Sequence, residues 1–334
     1  MTRSSTSWDT FRPVRPLQPL WVALGLLTLL PGLAGTYLRL LAPTDDTQAT
    51  FASFASYAVL AYALATVFFL VAFLRARSRA VLGVLTLVAV ALASCHAYWL
   101  APLFVPDDRP ARTPTFALLS LNLLHGSANP DDVYALGQRA DVVVLLEATP
   151  PALDALERRG WQQRFGYSVG VVNGVNGDTI LYSRFPLSDQ AQLPRSAFQQ
   201  WTATADVPQI GPVRIIAAHP CNPYCGGNQF AVDHAALNAV AMRYASAPLV
   251  VAGDLNATYD HAPIRQLDRA GIVSATDIVG AGWLPTFPAN RTIPPLLPID
   301  HVLLSRQLTA TSVTRLPVRD TDHLALLTDI AGAT

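Results

Sequence analysis

Hydrophobic and polar positions divide this chain into two unlike parts. Three stretches carry no charged residue: Pro16 to Leu38, Thr47 to Leu74 and Ala80 to Pro106. Each exceeds the ~20 residues an α-helix needs to cross a bilayer. The first lacks a small-residue cleavage site at signal-peptide distance, and two more follow it, which favours a retained span over a cleaved signal. Burial in a large soluble core is the competing reading, but it gives no use for three consecutive charge-free runs. The pattern predicts helices over about 19–41, 51–74 and 80–101, inside a transmembrane region of residues 1–105. Pro31 and Gly32 fall in the first, where a bilayer helix tolerates a kink.

After residue 106 the scale changes. Residues 106–114 hold prolines and no periodicity, and read as a linker. Beyond them, apolar runs of strand length recur: Phe116–Leu121, Val142–Leu146, Thr179–Tyr182, Val213–Ala218, Leu249–Ala252, Val302–Leu304 and Leu324–Leu327. Helix-like segments separate some of them, at Asp131 to Arg139, Pro150 to Arg159 and Gln229 to Tyr244. Acids in the first turn mark the earliest. Residues 115–334 are thus expected to form one α/β domain. No internal repeat interrupts it.

Composition sharpens the division. Hydrophobic residues make up 51% of the chain and charged residues 14%, against about 25% charged in soluble domains. The mean hydropathy is +0.31. This excludes a disordered chain and argues against a wholly soluble one. The formal net charge is zero, from 23 basic and 23 acidic residues, and every basic residue is Arg. Residues 1–110 hold 8 Arg and 5 acids, a net of +3; residues 111–334 hold 15 Arg and 18 acids, a net of −3. Arg3, Arg12 and Arg15 precede the first span, and Arg75, Arg77 and Arg79 connect the second to the third. Asp45 and Asp46, with Arg39 at the edge, connect the first to the second. Positive segments stay in the cytoplasm, so the N-terminus is expected inside and the α/β domain outside the cell membrane. Trp21, Tyr37, Tyr98 and Trp99 suit interfacial positions.

Polar residues cluster where the predicted strands end. Asn122 closes the first and Glu147 the second; His219 follows Val213–Ala218, and Asp254 and Asn256 follow Leu249–Ala252. Asp300 with His301, and Asp322 with His323, open the last two. Apolar strands that deliver such groups to one rim are the pattern of a site on a rigid sheet. The set is rich in oxygen, holds few nitrogens and no thiolate. That suits a hard cation, Mg²⁺ or Mn²⁺, rather than zinc. A hard cation with amide donors and a carboxylate-paired His is what phosphoester hydrolysis needs.

The runs Leu121-Asn122, Leu145-Leu146-Glu147, Gly253-Asp254-Leu255-Asn256, Ile299-Asp300-His301-Val302 and Thr321-Asp322-His323 resemble the ordered motifs of the endonuclease/exonuclease/phosphatase (DNase I-like) superfamily. The resemblance covers about residues 110–334. It implies a four-layer α/β sandwich and in-line attack by water. Glu147 then resembles the principal metal ligand, with Asn122 beside it and Asp322 near the metal. His323 is similar to the general base, oriented by Asp300. Asp254 resembles the acid that aligns the nucleophile or helps the leaving oxygen, and Asn256 and His219 resemble donors to the scissile phosphate. Two departures stand out. Leu124 occupies the place where several relatives carry an acid, which puts a second metal position in doubt. Thr286-Phe287-Pro288 stands where many relatives have a Thr-Trp-Pro-like turn, and Phe287 is expected to shape the substrate mouth.

Other residues have plainer readings beside the functional ones. Asp254 and Asn256 suit an Asx turn as well as a site. The loop of Asn173, Gly174, Asn176, Gly177 and Asp178 is either a substrate rim, with Asn173 touching substrate, or a plain hairpin. Outside the membrane, Cys221 and Cys225 read as a disulfide, with free thiols the alternative; Cys95 lies inside a span. His301 is expected to support structure, His96 to sit at an interface, and His125, His234 and His261 to be structural or superficial.

The expected partners are the membrane and a phosphorylated lipid or envelope precursor. An acidic domain without Lys counts against nucleic acid, whose phosphates demand a basic field. A tethered extracellular nuclease and a non-catalytic anchored receptor on the same fold are the alternatives. Three spans before such a domain, in an Arg-only, Ala/Leu-rich chain, also resemble the VanJ-like membrane proteins linked to teicoplanin resistance in actinobacteria, which implies a role in the cell envelope. The orientation is directly testable. A reporter fused after Thr334 is expected to be active only outside the cytoplasm, and cytoplasmic activity would reverse the topology.

Overall fold

The structure, a computed structural model, describes residues 17–76, 78–174 and 178–333. Arg3, Arg12, Arg15, Arg77, Asn176 and Gly177 lie outside these. The chain forms two compact units. One holds Tyr57–His96 and the described residues up to Leu33; the other holds Ala34–Ser56 and the chain from Ala97 onward.

The helices run α1 (Leu17–Leu41), α2 (Asp46–Ala52), α3 (Ala58–Arg75) and α4 (Ala80–Leu100) before the α/β domain. Three segments, Gln18–Leu41, Ala55–Arg75 and Ala80–Leu103, are long and apolar enough to cross a membrane. In the first unit Gly25 and Gly32 let aromatic rings lie against α1: a Cβ would fall 2.5 Å from the Phe69 ring and 2.7 Å from the Tyr62 ring. Small residues at helix contacts are how spans approach closely where lipid supplies no hydrophobic gradient. His96 is buried in this unit, its ring 5.5 Å from Tyr62.

The second span differs from expectation. It begins at Ala55, not near residue 51. Asp45 caps α2, its carboxylate accepting from the Gln48 N–H at 3.0 Å, which starts a separate short helix. Ala49 and Ala52 of α2 are buried, and Ala49 joins the core of the second unit. The charge-free run from Thr47 to Leu74 hid the break between α2 and α3.

The second unit holds twelve strands: β1 (Phe116–Asn122), β2 (Val142–Leu146), β3 (Tyr167–Val169), β4 (Ile180–Ser183), β5 (Leu187–Gln192), β6 (Trp201–Val207), β7 (Gly211–Ala218), β8 (Leu249–Asp254), β9 (Val273–Ser274), β10 (Asp300–Leu304), β11 (Leu308–Leu316) and β12 (Ala325–Gly332). They form two six-stranded sheets, in the orders β11-β12-β1-β2-β4-β3 and β5-β6-β7-β8-β10-β9. The remaining helices are α5 (Pro130–Gly137), α6 (Pro150–Glu157), α7 (Trp161–Arg164), α8 (Gln229–Arg243), α9 (Ala262–Arg269) and α10 (Ala275–Val279).

Period-2 alternation builds three cores from these sheets. Val142 and Val144 of β2 meet Val250 and Ala252 of β8 between the sheets. Val143 and Leu145 face the other way, against Val133, Leu156 and Trp161 of α5 to α7. Leu249 and Val251 face Phe230, Leu237, Ile264 and Leu267 of α8 and α9. Helices, sheet, sheet, helices is the four-layer sandwich expected.

The connector at residues 106–114 has no helix or strand but lies along the domain. Asp107 N donates to Ile278 O at 3.0 Å and Arg112 N to Gly332 O at 2.7 Å. The Thr309 hydroxyl donates to Arg109 O at 2.8 Å. Residues 34–56 are held from the other side. Arg39 pairs with the buried carboxylate of Asp260, which also accepts from the Ser56 hydroxyl. His261 Nε2–H donates to Ala49 O at 2.9 Å, and its Nδ1 accepts from Thr258 N–H at 2.9 Å. His261 is therefore structural.

Removing one member of a buried ion pair strands the other charge. Arg39→Met is expected to destabilise the second unit by about 3 kcal/mol, read as an earlier thermal transition of the detergent-solubilised protein. An unchanged transition would show that Asp260 does not need its partner.

Candidate active site

Topology explains why the polar residues meet. β1 and β2 are parallel, with Asn122 opposite Leu146, so Asn122 and Glu147 emerge at one end. β7 and β8 are also parallel, which brings His219 beside the end of β8. β10 runs antiparallel to β8 with Asp300 opposite Asp254. β12 runs antiparallel to β1, with Leu326 opposite Ser120, so the residues before it reach the same rim.

At the centre, the Asn122 side-chain amide donates to Glu147 Oε1 at 3.0 Å and to Asp254 Oδ2 at 3.1 Å. It thereby links the two sheets. Glu147 Oε2 accepts from His125 N–H at 2.9 Å. His219 Nε2 lies 3.9 Å from both Glu147 Oε1 and Asp254 Oδ2, and its ring stacks on Phe198 with centroids 4.8 Å apart. Burial pushes the Glu147 carboxyl up, but His219, the Asn122 hydrogen bond and His125 outweigh it and hold it below the ordinary value. Glu147 and Asn256 both have positive φ, 51° and 50°. Non-glycine residues seldom take this conformation, and it clusters at functional sites. Gly253, with φ 151°, is required before Asp254: a Cβ there would fall 1.9 Å from Ala218 O on β7.

His323 and Asp300 form a buried pair, Nδ1 to Oδ2 at 2.8 Å. Thr321 places this turn, its hydroxyl donating to Asn122 O at 2.8 Å and accepting from His323 N–H at 3.3 Å. His323 Nε2 lies 3.6 Å from Asp254 Oδ2 and 3.8 Å from Asp322 Oδ1. Burial alone would lower the imidazole pKa. The charges of Asp300, Asp254 and Asp322 and the Asp300 hydrogen bond win, and raise it to about 10. Burial raises the Asp254 carboxyl, with Asp300 adding to it. Asp322 is raised by burial and by Glu147 and Asp300 nearby.

The rim opens into a cavity of about 510 Å³. Its catalytic side is lined by Glu147, Asp254, Asn256, Asp322 and His323. Phe287 lines it too, its ring centroid 5.0 Å from that of His323. No Arg lines it. Asn256 bends its chain back onto Asp254, donating its N–H to Asp254 Oδ1 at 2.9 Å, so the Asx turn and the site coexist. Its side-chain amide donates to Pro220 O at 3.1 Å. Asn173 is not among the lining residues; its N–H donates to Asp178 Oδ2 at 2.7 Å in the loop before β4. Cys221 and Cys225 are joined as a disulfide. His301 donates through Nε2 to Ala257 O at 2.7 Å and is structural. His234 is buried against Phe230.

His125 is the residue the sequence reading undervalued. It lines the cavity and its Nδ1 lies 3.2 Å from Glu147 Oε2. Leu124 and His125 both have positive φ, 49° and 50°, which folds the loop after β1 back onto Glu147. Its distance of three residues from Asn122 was the only available signal.

The donor set suits a cation. Asp254, Asp300 and His323 offer ligand atoms within 4.8 Å of one another. Asp300 Oδ1 and Asp322 Oδ1 are buried with no hydrogen-bond partner among the described residues. Buried carboxylate oxygens in that state call for a counter-charge.

The model of the Endonuclease/Exonuclease/phosphatase family matches residues 119–323. No curated protein matches the chain. Among solved structures, the human Nocturnin catalytic domain with bound sulfate anion aligns with a TM-score of 0.52 at 16% identity, over 67% of this chain and 96% of that one. An endonuclease/exonuclease/phosphatase from Beutenbergia cavernae DSM 12333 aligns with a TM-score of 0.50 at 19% identity, over 66% and 72%. Humanized D. rerio TDP2 gives 0.50 at 14% identity, over 65% and 99%. At these identities the likeness is one of fold.

In cation-free protein, the His323 proton is expected to persist through neutral pH and titrate in the alkaline range. Its folded pKa lies above the unfolded ~6.5. The stability it contributes is therefore complete below that value and lost as pH rises through about 10. Asp300→Asn should move the titration toward neutrality, as read from imidazole ¹⁵N shifts; an unmoved titration would deny Asp300 this role.

Proposed function

Because the chain belongs to the endonuclease/exonuclease/phosphatase family, whose members hydrolyse phosphoesters, we propose that it is a membrane-anchored, Mg²⁺- or Mn²⁺-dependent phosphoester hydrolase. The observation that carries this is the His323–Asp300 pair beside Asp254 on a cavity shared with Glu147.

Glu147, Asn122 and Asp322 would hold the cation. When bound, it supplies charge neutralisation for the phosphate and offsets the carboxylate field that retains the His323 proton. The chain's own groups do the rest. Asp300 accepts from His323 Nδ1–H, which leaves Nε2 to take a proton from water. That water attacks phosphorus in line, and the opposite P–O ester bond breaks. Asp254, 3.6 Å from His323 Nε2, aligns the water or assists the leaving oxygen. His219 and Asn256 serve as donors near the phosphate, with Phe287 at the mouth and Asn173 on an outer rim.

We place the site outside the cytoplasm and take its substrate to be a lipid-linked or cell-envelope phosphate. Three membrane-length helices precede the domain, and its cavity is lined by no cationic Arg side chain. A nuclease would need such charge along its strand path. A part in glycopeptide resistance belongs to this envelope reading.

Hydrolysis of a phospholipid or polyprenyl diphosphate is expected to exceed DNA cleavage, and to stop with EDTA. His323→Ala should cost on the order of 10²–10⁴-fold in kcat, with Glu147→Ala abolishing the response to Mg²⁺. Full turnover in chelator would overturn the metal mechanism. Retained cellular function in both variants, with the protein still in the membrane, would instead favour an anchored receptor.

A further inference from the structure

Half of the cavity has no part in the chemistry above. Thr50, Ser53 and Phe54 line it alongside Glu147, Asp254 and His323. These three follow or end α2, between the first and second apolar helices, and lie far outside the family-matched residues 119–323. Residues 34–56 belong to the same compact unit as the catalytic residues. They are fastened there by Arg39 and Ser56 on Asp260 and by His261 on Ala49 O. Leu124, Phe287, Leu296, Leu297 and Ile299 line the same cavity. Phe54 is 44% exposed and lines the cavity of the candidate site.

The two halves demand different things of a ligand. The catalytic half takes a phosphate. Phe54, Leu124, Phe287, Leu296, Leu297 and Ile299 line the cavity as well, among the hydroxyls of Thr50 and Ser53, and these apolar side chains reward an apolar group by removing it from water. A polyanion would find no cation there. A hydrocarbon chain ester-linked to the phosphate meets both halves at once.

We propose that the segment between the first two apolar helices is a specificity-determining wall of the active site. On it Phe54, with Leu296 and Leu297 lining the same cavity, receives the hydrocarbon chain of a membrane lipid phosphoester. This rests on the hydrolase reading and deepens it. The anchor thus selects the substrate as well as holding the domain. The wall sits where the chain enters its second span, so the segment that binds the lipid chain is continuous with one that lies in lipid.

The test uses the full-length protein in detergent, with Mg²⁺ and the ethyl, butyl and octyl p-nitrophenyl phosphodiesters. Wild type is expected to show kcat/KM rising at least tenfold from ethyl to octyl, mainly through KM. Phe54→Ser should cut that octyl-to-ethyl ratio at least fivefold, and Leu296→Ser should act in the same direction. Phe51→Ser is the control: Phe51 is 61% exposed on α2 but does not line the cavity, and its loss should leave the ratio intact. Binding of octylphosphonate relative to ethylphosphonate, by calorimetry, should follow the same order. Hydrolysis of all three esters with no gain in chain length would overturn the wall and spare the hydrolase reading. An equal loss in Phe51→Ser would also overturn it, by pointing to partition into micelles. No hydrolysis of any ester, with Phe54-dependent octylphosphonate binding, would instead overturn the hydrolase reading and keep the wall.

Discussion

One side-chain amide joins the two sheets at the site. Asn122 ends a strand of the first sheet and donates at once to Glu147, from the same sheet, and Asp254, from the other. Two buried or half-buried carboxylates would repel each other across this gap without a donor between them. The amide has two N–H groups and so serves both. Its oxygen accepts from Leu124 N–H at 2.9 Å, which fixes its orientation. The loop that then folds His125 onto Glu147 and the turn that carries His323 both start from this residue's backbone or side chain.

Around that amide the site gathers negative charge faster than it can neutralise it. Asp254, Asp300 and Asp322 surround His323, whose imidazole answers all three, while His219 and the Asn122 amide reach Asp254 alone. Burial makes each uncompensated carboxylate costly. The fold tolerates this because the strands that carry these residues are packed on both faces. β2 and β8 are buried along their whole length, and Gly253 lets β7 pass the site with no side chain between. A rigid frame with an excess of acid suits a cation, and Asp300 Oδ1 and Asp322 Oδ1 have no hydrogen-bond partner among the described residues.

The segment between α1 and α3 belongs to the compact unit that carries the candidate site. Its attachment uses buried polar groups, Asp260 and His261, at the point where β8 has delivered Asp254. The loop after Asp254 therefore fastens residues 34–56 close in sequence to an acid of the site. The cavity lining thus joins side chains that are remote in sequence.

Much of this was legible in the sequence. Three long apolar helices announced themselves by length without charge. Seven strands were visible as apolar runs, and they are β1, β2, β4, β7, β8, β10 and β12, central or next to central in their sheets. Strands buried on both faces must be apolar throughout. The edge strands β3, β5 and β11 carry exposed polar residues and left no such run; β9 is only two residues long, and β6 alternates. The polar residues at strand ends, Asn122, Glu147, Asp254, Asp300 and His323, were readable because an apolar strand makes its polar terminus conspicuous. The sequence by itself thus determined the spans, the central strands and the acids of the rim, since each is a local departure from a periodic background. Only the tertiary structure decided that His125 faces Glu147, that α2 is a helix separate from α3, and that Phe54 lines one cavity with His323. Those depend on positive φ in a short loop, on one helix cap and on packing across about 270 residues of chain. No local pattern encodes a contact whose partner lies that far away.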